Sequence, residues 1–255
     1  MSDKISIVVV CKNEAGVIER LLQTVQAISD DIVVYDNGST DGTVEIAQHY
    51  GVNLHQGKWL GFGKTKHKAV TLAKHDWILS LDADEVPDEA LLRELKAMPL
   101  DDAETVYDIR FKNFLGSKHL KRGEWGGDHH IRLFNRRHVN WNEARVHEEL
   151  VIPRRVRVKK LKGSILHYTM KDMADYSTKM VHYALLNAEK YFERGKKVTW
   201  LRRRFSPALG FFVNYILRFG FLDGWEGYVV ARTTAFYTFL KYARLHELWK
   251  NRSHP

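Results

Sequence analysis

Two carboxylates, Asp82 and Asp84, stand at the end of an apolar run in the stretch WILSLDADE, residues 77–85. The apolar residues before Asp82 predict a buried strand, and side chains two positions apart on an extended strand share a face. Carboxylate oxygens are the ligands that Mg²⁺ and Mn²⁺ prefer. The spacing therefore indicates a site for a divalent cation. A strand that leaves the core into an acidic loop before the next helix is the alternative.

The elements around this pair predict a parallel α/β sheet. Residues 5–10 (ISIVVV) and 32–35 (IVVY) are β-branched runs typical of buried parallel strands, and a helical pattern occupies residues 17–25 between them. Polar clusters follow three successive strands: CKNE at 11–14, DNGSTDGT at 36–43 and DADE at 82–85. Open α/β sheets bind ligands beyond the carboxyl ends of their strands, so we expect one site at this edge.

The order VVVCKNE, VVYDNGSTDGT, GFGKTKHKA and WILSLDADE resembles the inverting family 2 glycosyltransferases of the GT-A fold. Within that family it is most similar to the bacterial lipopolysaccharide-core β-glycosyltransferases, over residues 4–170. The resemblance implies an α/β nucleotide-diphospho-sugar transferase fold, a mostly parallel open sheet flanked by helices. No GxGxxG motif follows the first strand, which argues against a dinucleotide-binding dehydrogenase.

The resemblance also implies which residues bind the donor, a nucleoside diphosphate sugar. Asn13, Glu14 and Asp36 would hold the base and ribose, and Lys66 would offset the diphosphate charge. His67 replaces the Asn that usually follows the basic residue, which leaves the hydrogen bonding there open. The complete donor-binding set is Asn13, Glu14, Asp36, Lys66, Asp82 and Ala83.

For the metal, the resemblance implies Mg²⁺ or Mn²⁺ held by Asp82, Asp84 and His167. His167 ends the apolar run in GSILHYT and is the one histidine of 13 singled out as a ligand. Imidazole suits Mn²⁺ better than Mg²⁺. The other histidines lack paired ligand spacing and are interpreted as surface or structural residues.

An inverting sugar transfer needs one general base close to the acceptor hydroxyl, and a carboxylate serves when its pKa is raised toward the working pH. By resemblance to the family's acidic motif, this role falls to Glu148 in the segment NEARVHEEL. Glu149 is the rival, and Glu143 is interpreted as a surface residue. This route forms no covalent sugar-enzyme intermediate, so an α-linked donor gives a β-linked product.

The domain prediction divides the chain in order. Residues 1–170 form the GT-A catalytic domain, with nucleotide-sugar binding in about 1–105 and the acceptor side and base in about 106–170. Residues 171–255 form a C-terminal amphipathic helical region. At 255 residues and 44% hydrophobic content the chain is long enough for a substantial core. Cys11 is the only cysteine, so no intrachain disulfide forms.

A net charge of +9 implies an acidic partner. Dense basic runs occupy 154–162 and 194–204, and aromatic, apolar helical stretches of sub-spanning length follow at 208–217 and 228–240. Basic residues beside such helices are typical of a segment lying at an anionic membrane surface. Packing of these helices on the catalytic domain is the alternative. No nucleic-acid module is recognised, so nucleic acid is not expected as a partner.

No signal peptide or long apolar span is found, so we expect a cytoplasmic protein, peripheral on the cytoplasmic face of the inner membrane. The predicted activity is metal-dependent inverting transfer of a sugar, by preference a UDP-linked hexose, to a saccharide or glycolipid acceptor such as lipopolysaccharide core. A polyprenyl-phosphate sugar synthase and a protein or peptide glycosyltransferase are alternatives. A non-catalytic module that binds anionic lipid or RNA is the alternative of a different class. The oligomeric state is left open.

Overall fold

A computed structural model describes residues 5–142 and 149–253. The chain forms two compact units, each built from two segments. The first contains Met1–Phe111 and Asp128–His167, and the second contains Lys112–Gly127 and Tyr168–Pro255. The predicted division followed chain order and placed 112–127 with the catalytic domain, whereas the contacts group this segment with the C-terminal helices.

Four parallel strands form one half of the main sheet, in the order β3-β2-β1-β4. Their bounds are β1 Ile5–Cys11, β2 Asp31–Asp36, β3 Asn53–Gln56 and β4 Trp77–Asp82. The helices between them are α1 Ile18–Val25, α2 Thr43–His49 and α3 Phe62–Thr71. The predicted βαβ unit is confirmed. Because these strands are parallel, their carboxyl ends meet at one edge, where the polar clusters lie.

The other half of the sheet continues the order as β4-β8-β6-β11-β5, with antiparallel pairing of β4 with β8, of β8 with β6 and of β11 with β5. The elements are β5 Glu85–Pro87, α4 Glu89–Ala97, β6 Thr105–Leu115, β8 His129–Asn135 and β11 Arg157–Met170. A separate hairpin joins β9 Asn140–Trp141 to β10 Leu150–Val151. β6 is the longer of the two central antiparallel strands, with 11 residues against the 7 of β8.

Apolar periodicity explains why α1 packs on the sheet. Ile18, Leu21, Leu22 and Val25 fall on one helical face, and all four are fully buried. Burial of an aliphatic side chain of this size stabilises the fold by about 1.5–3 kcal/mol. The helix is therefore held by this face, and it fixes the loop that follows β1.

A close approach at Gly163 joins β11 to α4. A Cβ at this position would lie 2.3 Å from the Cα and N atoms of Leu91, so no larger residue fits without backbone movement. Asp88 Oδ1 accepts hydrogen bonds from Leu91 N at 2.9 Å and from Ser164 N at 3.1 Å. Glu94 Oε2 accepts one from Gly163 N at 3.0 Å. These contacts anchor the segment that follows β5 against β11.

The second unit is mainly helical. Its long helices are α5 Met173–Glu193, α6 Trp200–Phe212 and α7 Gly224–Ser253, and β7 Lys118–His119 pairs with the end of β6. A π-helical turn, Val213–Leu217, extends α6, and a 3₁₀ turn, Gly220–Asp223, precedes α7. Asp223 Oδ2 accepts hydrogen bonds from Lys121 N at 2.9 Å and Arg122 N at 2.7 Å. The segment 112–127 is thereby tied to the helices.

The glycine-rich segment 123–127 also belongs to this packing. Glu124 Oε2 accepts hydrogen bonds from Thr234 Oγ1 at 2.9 Å and Asn214 Nδ2 at 3.3 Å. In the described part of the chain, no single helix has the length and hydropathy of a membrane span. One bent pair, Trp200–Leu217 with Gly220–Arg252 at 69°, meets the criterion jointly by length and composition. The α/β fold class with a helical C-terminal region is confirmed, and its place at a membrane surface stays a prediction.

Candidate active site

The acidic pair lies at a turn between two strands. β4 ends at Asp82, Ala83 and Asp84 form a turn, and β5 starts at Glu85. The expectation that the strand stays extended through Asp84, which would place both carboxylates on one face, was therefore wrong. The two carboxylates have different partners, and Ala83 between them is buried.

Asp82 lies between two cations. Lys66 Nζ on α3 is 3.0 Å from Asp82 Oδ1, and Arg132 Nη2 on β8 is 3.3 Å from Asp82 Oδ2. Arg132 Nη2 also donates a short hydrogen bond to Glu85 Oε1. Lys66 Nζ lies 4.8 Å from the centre of the Trp141 ring, a cation–π contact. Two carboxylates and two cations thus form a charge-balanced cluster at the strand ends.

The two carboxylates of this cluster have opposite pKa shifts. Burial alone would raise the pKa of Asp82, but the charges of Lys66 and Arg132 outweigh it and hold that pKa well below its usual range. Burial raises the pKa of Glu85, and the nearby charge of Asp82 adds to this effect against the opposing charge of Arg132. Glu85 Oε2 accepts a hydrogen bond from Asp82 N at 3.1 Å. Glu85 therefore holds the turn that carries the acidic pair.

Asp84 meets His167 instead. β5 pairs antiparallel with β11, with Glu85 opposite His167, and this register brings His167 Nε2 to 3.4 Å from Asp84 Oδ2. Burial by itself lowers the pKa of His167, but the hydrogen bond and charge of Asp84 outweigh it and raise the pKa above its usual value. Phe111 packs edge-on against the imidazole at 5.6 Å between ring centres.

The donor atoms of Asp84 and His167 fit a divalent cation that is completed by its substrate. Among residues 5–142 and 149–253, no group of three or more His, Cys, Asp or Glu side chains is arranged to hold a metal ion. Mg²⁺ at diphosphate sites is usually bound by one or two carboxylates plus phosphate oxygens and water. Asp84 supplies one carboxylate and His167 one imidazole, so phosphate oxygens and water would complete the coordination. This pair of ligands suits Mn²⁺. Both oxygens of Asp82 are engaged by cations, so its part in metal binding stays a prediction.

Asp36, at the end of β2, organises the polar turn that follows it. Its Oδ1 accepts hydrogen bonds from Gly38 N and Ser39 N, both at 2.9 Å, and its Oδ2 accepts a short one from the Ser39 hydroxyl. The Cys11 thiol donates to the same carboxylate at 3.9 Å. The side chain is fully buried. Its structural role is therefore clear, and contact with a donor ribose stays a prediction.

Asn13 and Glu14, after β1, join the same turn. Asn13 Oδ1 accepts a hydrogen bond from Thr40 N at 2.8 Å, and Asn13 N donates to Ser39 Oγ at 2.8 Å. Asn13 has φ of 58°, in the left-handed region that Asn tolerates better than most residues. Glu14 N donates to Thr43 Oγ1 at 2.8 Å. The clusters after β1 and β2 therefore form one hydrogen-bonded edge, as the sequence predicted.

A cavity of about 570 Å³ opens beside the charged cluster. Its wall includes Lys66, Asp82 and Arg132 on one side and Trp141 and Glu149 from the β9–β10 hairpin on another. A volume of this size falls within the range of about 300–1,000 Å³ typical of ligand sites. Glu149, the rival base, thus faces the same space as the cluster. Glu148 and Glu143 lie outside the described residues.

Sequence reasoning missed Arg132, Glu85 and Trp141. Arg132 lies in the segment HIRLFN, residues 130–135, and a positive residue inside a largely apolar run is the available signal. Glu85 belongs to the acidic segment DADE, yet its side chain is 1% exposed. His67 fixes Trp141 through a 3.0 Å contact between His67 Nδ1 and the Trp141 carbonyl oxygen. His67, which stands where the family usually has Asn, therefore connects α3 to the β9–β10 hairpin.

Comparison with known families decides the class of this site. The family model described as "Glycosyl transferase family 2" matches residues 6–168. The chain belongs to glycosyl transferase family 2. The matched segment contains Asp36, the Lys66–Asp82–Arg132–Glu85 cluster and the Asp84–His167 pair. The protein is therefore a glycosyltransferase, and the alternative of a non-catalytic lipid or RNA module is not supported.

Relatives match this glycosyltransferase over nearly its whole length. An "Uncharacterized glycosyltransferase" of Rickettsia bellii is 30% identical, over 97% of this chain and 88% of the relative. The "Lipopolysaccharide core biosynthesis glycosyltransferase LpsC" of Rhizobium meliloti is 24% identical, over 98% of this chain and 95% of the relative. A solved structure of S. aureus TarS in complex with UDP is 17% identical, with a TM-score of 0.46, covering 98% of this chain and 92% of that chain.

Proposed function

We propose that this glycosyltransferase moves a hexose from a UDP-sugar to a saccharide of lipopolysaccharide core, with inversion at the anomeric carbon. The observation that carries the donor half is the charged cluster at the strand ends beside a ligand-sized cavity. The acceptor half is supported by the end-to-end match to a relative named for lipopolysaccharide core biosynthesis.

At the donor end, Lys66 and Arg132 supply positive charge next to the position where a diphosphate would lie. Asn13, Glu14, Asp36, Asp82 and Ala83 complete the proposed donor site. Asp84 and His167 would hold Mg²⁺ or Mn²⁺. When bound, such an ion stabilises the negative charge of the departing diphosphate.

At the acceptor end, a carboxylate removes the proton from the attacking hydroxyl. We assign this role to Glu148 and keep Glu149 as the tested rival, because Glu149 lines the cavity that contains Lys66 and Asp82. Direct displacement from the face opposite the nucleotide then gives a β-linked product from an α-linked donor.

We further propose that the enzyme is cytoplasmic and attaches to the cytoplasmic face of the inner membrane through its second unit. Large apolar side chains are exposed on its helices, with Trp225 70% and Trp200 64% exposed. Exposed apolar surface next to basic residues is typical of interfacial helices. Reversal of the charges of Arg202, Arg203 and Arg204 should release much of the protein from anionic liposomes in flotation. Equal flotation of parent and variant would contradict attachment through these charges.

A donor screen tests the reaction. Hydrolysis and transfer are measured across UDP-, GDP- and ADP-sugars with Mg²⁺, Mn²⁺ or a chelator, and we expect turnover with a UDP-hexose that depends on the cation. Asp84→Ala should abolish this turnover without unfolding, because the Asp84 side chain lies in a turn outside the apolar core and is 25% exposed. Asp101→Ala, which removes an exposed carboxylate elsewhere, is the matched control. Normal turnover by a folded Asp84→Ala enzyme would contradict metal assistance through this residue.

The base is tested by paired substitutions. Glu148→Gln should lower kcat by roughly 100-fold or more with little change in nucleotide affinity, since Gln preserves size and removes basicity. If only Glu149→Gln lowered kcat in this way, Glu149 rather than Glu148 would be the general base. If neither change affects kcat, the alternative of a polyprenyl-phosphate sugar synthase is favoured, because its acceptor is already an anion and needs no general base.

A further inference from the structure

The second unit contains a cavity that the proposed sugar transfer does not use. It measures about 760 Å³ and lies between α5, α6 and α7. Its apolar walls come from Met180 and Val181 on α5, Phe211 on α6, and Phe236 and Phe239 on α7. Ligand sites in proteins typically have volumes of about 300–1,000 Å³. The cavity is therefore large enough for a small amphiphile.

Three arginines give this apolar cavity a strong positive charge. Arg203 and Arg204 reach it from α6 and Arg232 from α7, and no acidic side chain is among the described residues that line it. The Nε atom of Arg203 is buried and has no hydrogen-bond partner within the described chain. A buried N–H group without an acceptor costs about 1–3 kcal/mol, and more when it is charged. The arrangement therefore favours an anionic ligand that accepts hydrogen bonds.

The Arg232 guanidinium group packs against two aromatic rings. Its guanidinium carbon lies 5.6 Å from the centre of the Phe211 ring and 5.7 Å from that of Tyr228. Cation–π contacts of this kind hold the guanidinium plane without consuming its N–H donors. The donors of Arg232 remain available for a phosphate, which guanidinium groups bind with two parallel hydrogen bonds.

The chemistry of the walls excludes simpler occupants. A free inorganic anion would neutralise the arginines but leave the phenylalanine wall in water. A neutral apolar molecule would cover the wall but would leave the buried Nε of Arg203 without a hydrogen-bond acceptor. A molecule with an acyl chain and a phosphate headgroup meets both requirements. The surrounding exposed apolar side chains, such as Leu209 at 61% exposure, provide a path for such a molecule from a bilayer.

We propose that the cavity between α5, α6 and α7 binds the phosphate headgroup and one acyl chain of an anionic phospholipid, with the phosphate held by Arg203, Arg204 and Arg232 and the acyl chain lying along Phe211, Phe236 and Phe239. This site goes beyond the proposed transfer. It also differs from diffuse attraction to a charged surface, because it requires particular arginines and an apolar volume.

Titration calorimetry of the full chain with monomeric lauroyl lysophosphatidic acid tests the site, without donor or metal. We expect saturable binding of one molecule, weaker binding of lauroyl lysophosphatidylcholine, and little binding of inorganic phosphate. Equal affinity for inorganic phosphate would show an ion site only and overturn the proposal. Equal affinity for the zwitterionic lipid would overturn recognition of the headgroup. Because no sugar transfer is measured, either failure leaves the proposed function intact.

Matched arginine variants locate the binding. Arg203→Gln and Arg232→Gln should each weaken lysophosphatidic acid binding by roughly tenfold or more, as expected for a lost charge-assisted hydrogen bond. Arg202→Gln removes the same charge from α6 at an exposed position outside the cavity lining and should change affinity little. Equal losses from Arg202→Gln and Arg203→Gln would show diffuse electrostatics and overturn the proposal.

A second pair of variants tests the apolar volume. Ala208→Trp fills the cavity while keeping every arginine, so it should abolish binding. Leu209→Trp changes the next, exposed residue and should not. Circular dichroism and unfolding midpoints monitor folding of each variant. If Ala208→Trp fails to fold, the Arg203→Gln, Arg232→Gln and Arg202→Gln variants alone test the proposed lipid site. Unchanged binding by a folded Ala208→Trp protein would contradict occupancy of the cavity.

Discussion

Replacing Arg132 by Gln should destabilise the first unit far more than removal of a surface arginine. Arg132 lies between Asp82 and Glu85 at the strand ends, with 10% of its side chain exposed, and the Glu85 side chain is 1% exposed. Gln is shorter than Arg and carries no charge. The substitution therefore leaves a buried carboxylate without its cation.

The structure sets the size of the effect. Removing one partner of a buried ion pair typically costs about 3–5 kcal/mol, because the remaining charge stays desolvated. Lys66 remains 3.0 Å from Asp82, so only Glu85 loses its cation completely. We therefore expect a loss near the lower limit, about 3 kcal/mol of unfolding free energy. The double variant Arg132→Gln/Glu85→Gln should recover about 2 kcal/mol of this, because both buried charges are then gone.

Urea unfolding followed by circular dichroism measures these differences through the midpoint, provided that the slope is unchanged. Arg137→Gln is the matched control. Arg137 Nη2 lies 2.7 Å from Asp76 Oδ2, but 73% of the Arg137 side chain is exposed. Exposed pairs contribute about 0–1 kcal/mol, so this variant should shift the midpoint little.

The outcome that would refute the reasoning is an Arg132→Gln protein no less stable than Arg137→Gln. A double variant that is less stable than the Arg132→Gln single variant would also refute it. In that case Glu85 would contribute through hydrogen bonds that do not need the guanidinium group, such as the one from Asp82 N.

Three further predictions concern positions with defined geometry. Gly163→Ala should lower stability by about 3 kcal/mol, since its Cβ would lie 2.3 Å from Leu91 backbone atoms, and an unchanged thermal midpoint would contradict this. Lys66→Met should weaken UDP binding about tenfold in calorimetry with the fold intact, because one charge-assisted contact is lost, and equal affinity would remove Lys66 from the donor site. Asn13→Ala should be about 1 kcal/mol less stable than Asn13→Gly in urea, because only Ala is strained at φ of 58°, and equal stability would show relaxation of the turn.

Local pattern was enough to predict the parallel half of the sheet. β-Branched runs and a 3.6-residue apolar period are properties of short windows, so β1, α1 and β2 could be identified without knowledge of the rest of the chain. The carboxyl ends of parallel strands lie at the same edge of a sheet, and this rule alone predicted that the polar clusters lie close together. Asp36 and Asn13 were placed at that edge correctly.

Long-range pairing explains most of what sequence reasoning missed. Arg132 is 47 residues from Glu85 in the chain and reaches it only because β8 pairs antiparallel with β4. Nothing in the segment HIRLFN specifies that partner. The turn at Ala83–Asp84 likewise depends on β5 pairing with β11, which no local pattern reveals. Grouping of 112–127 with the helices rests on Asp223, about a hundred residues away in sequence.

The environment of Cys11 has a practical consequence for labelling chemistry. This residue is the only cysteine and is 4% exposed. Burial, with the charges of Asp36 and Glu14, raises its pKa far above the usual range, so the thiol stays protonated and unreactive toward maleimides. A cysteine introduced at the exposed Ser177, which lines the α5–α6–α7 cavity, becomes the single reactive thiol. A fluorophore attached there reports cavity occupancy directly, and Cys11 does not have to be replaced first.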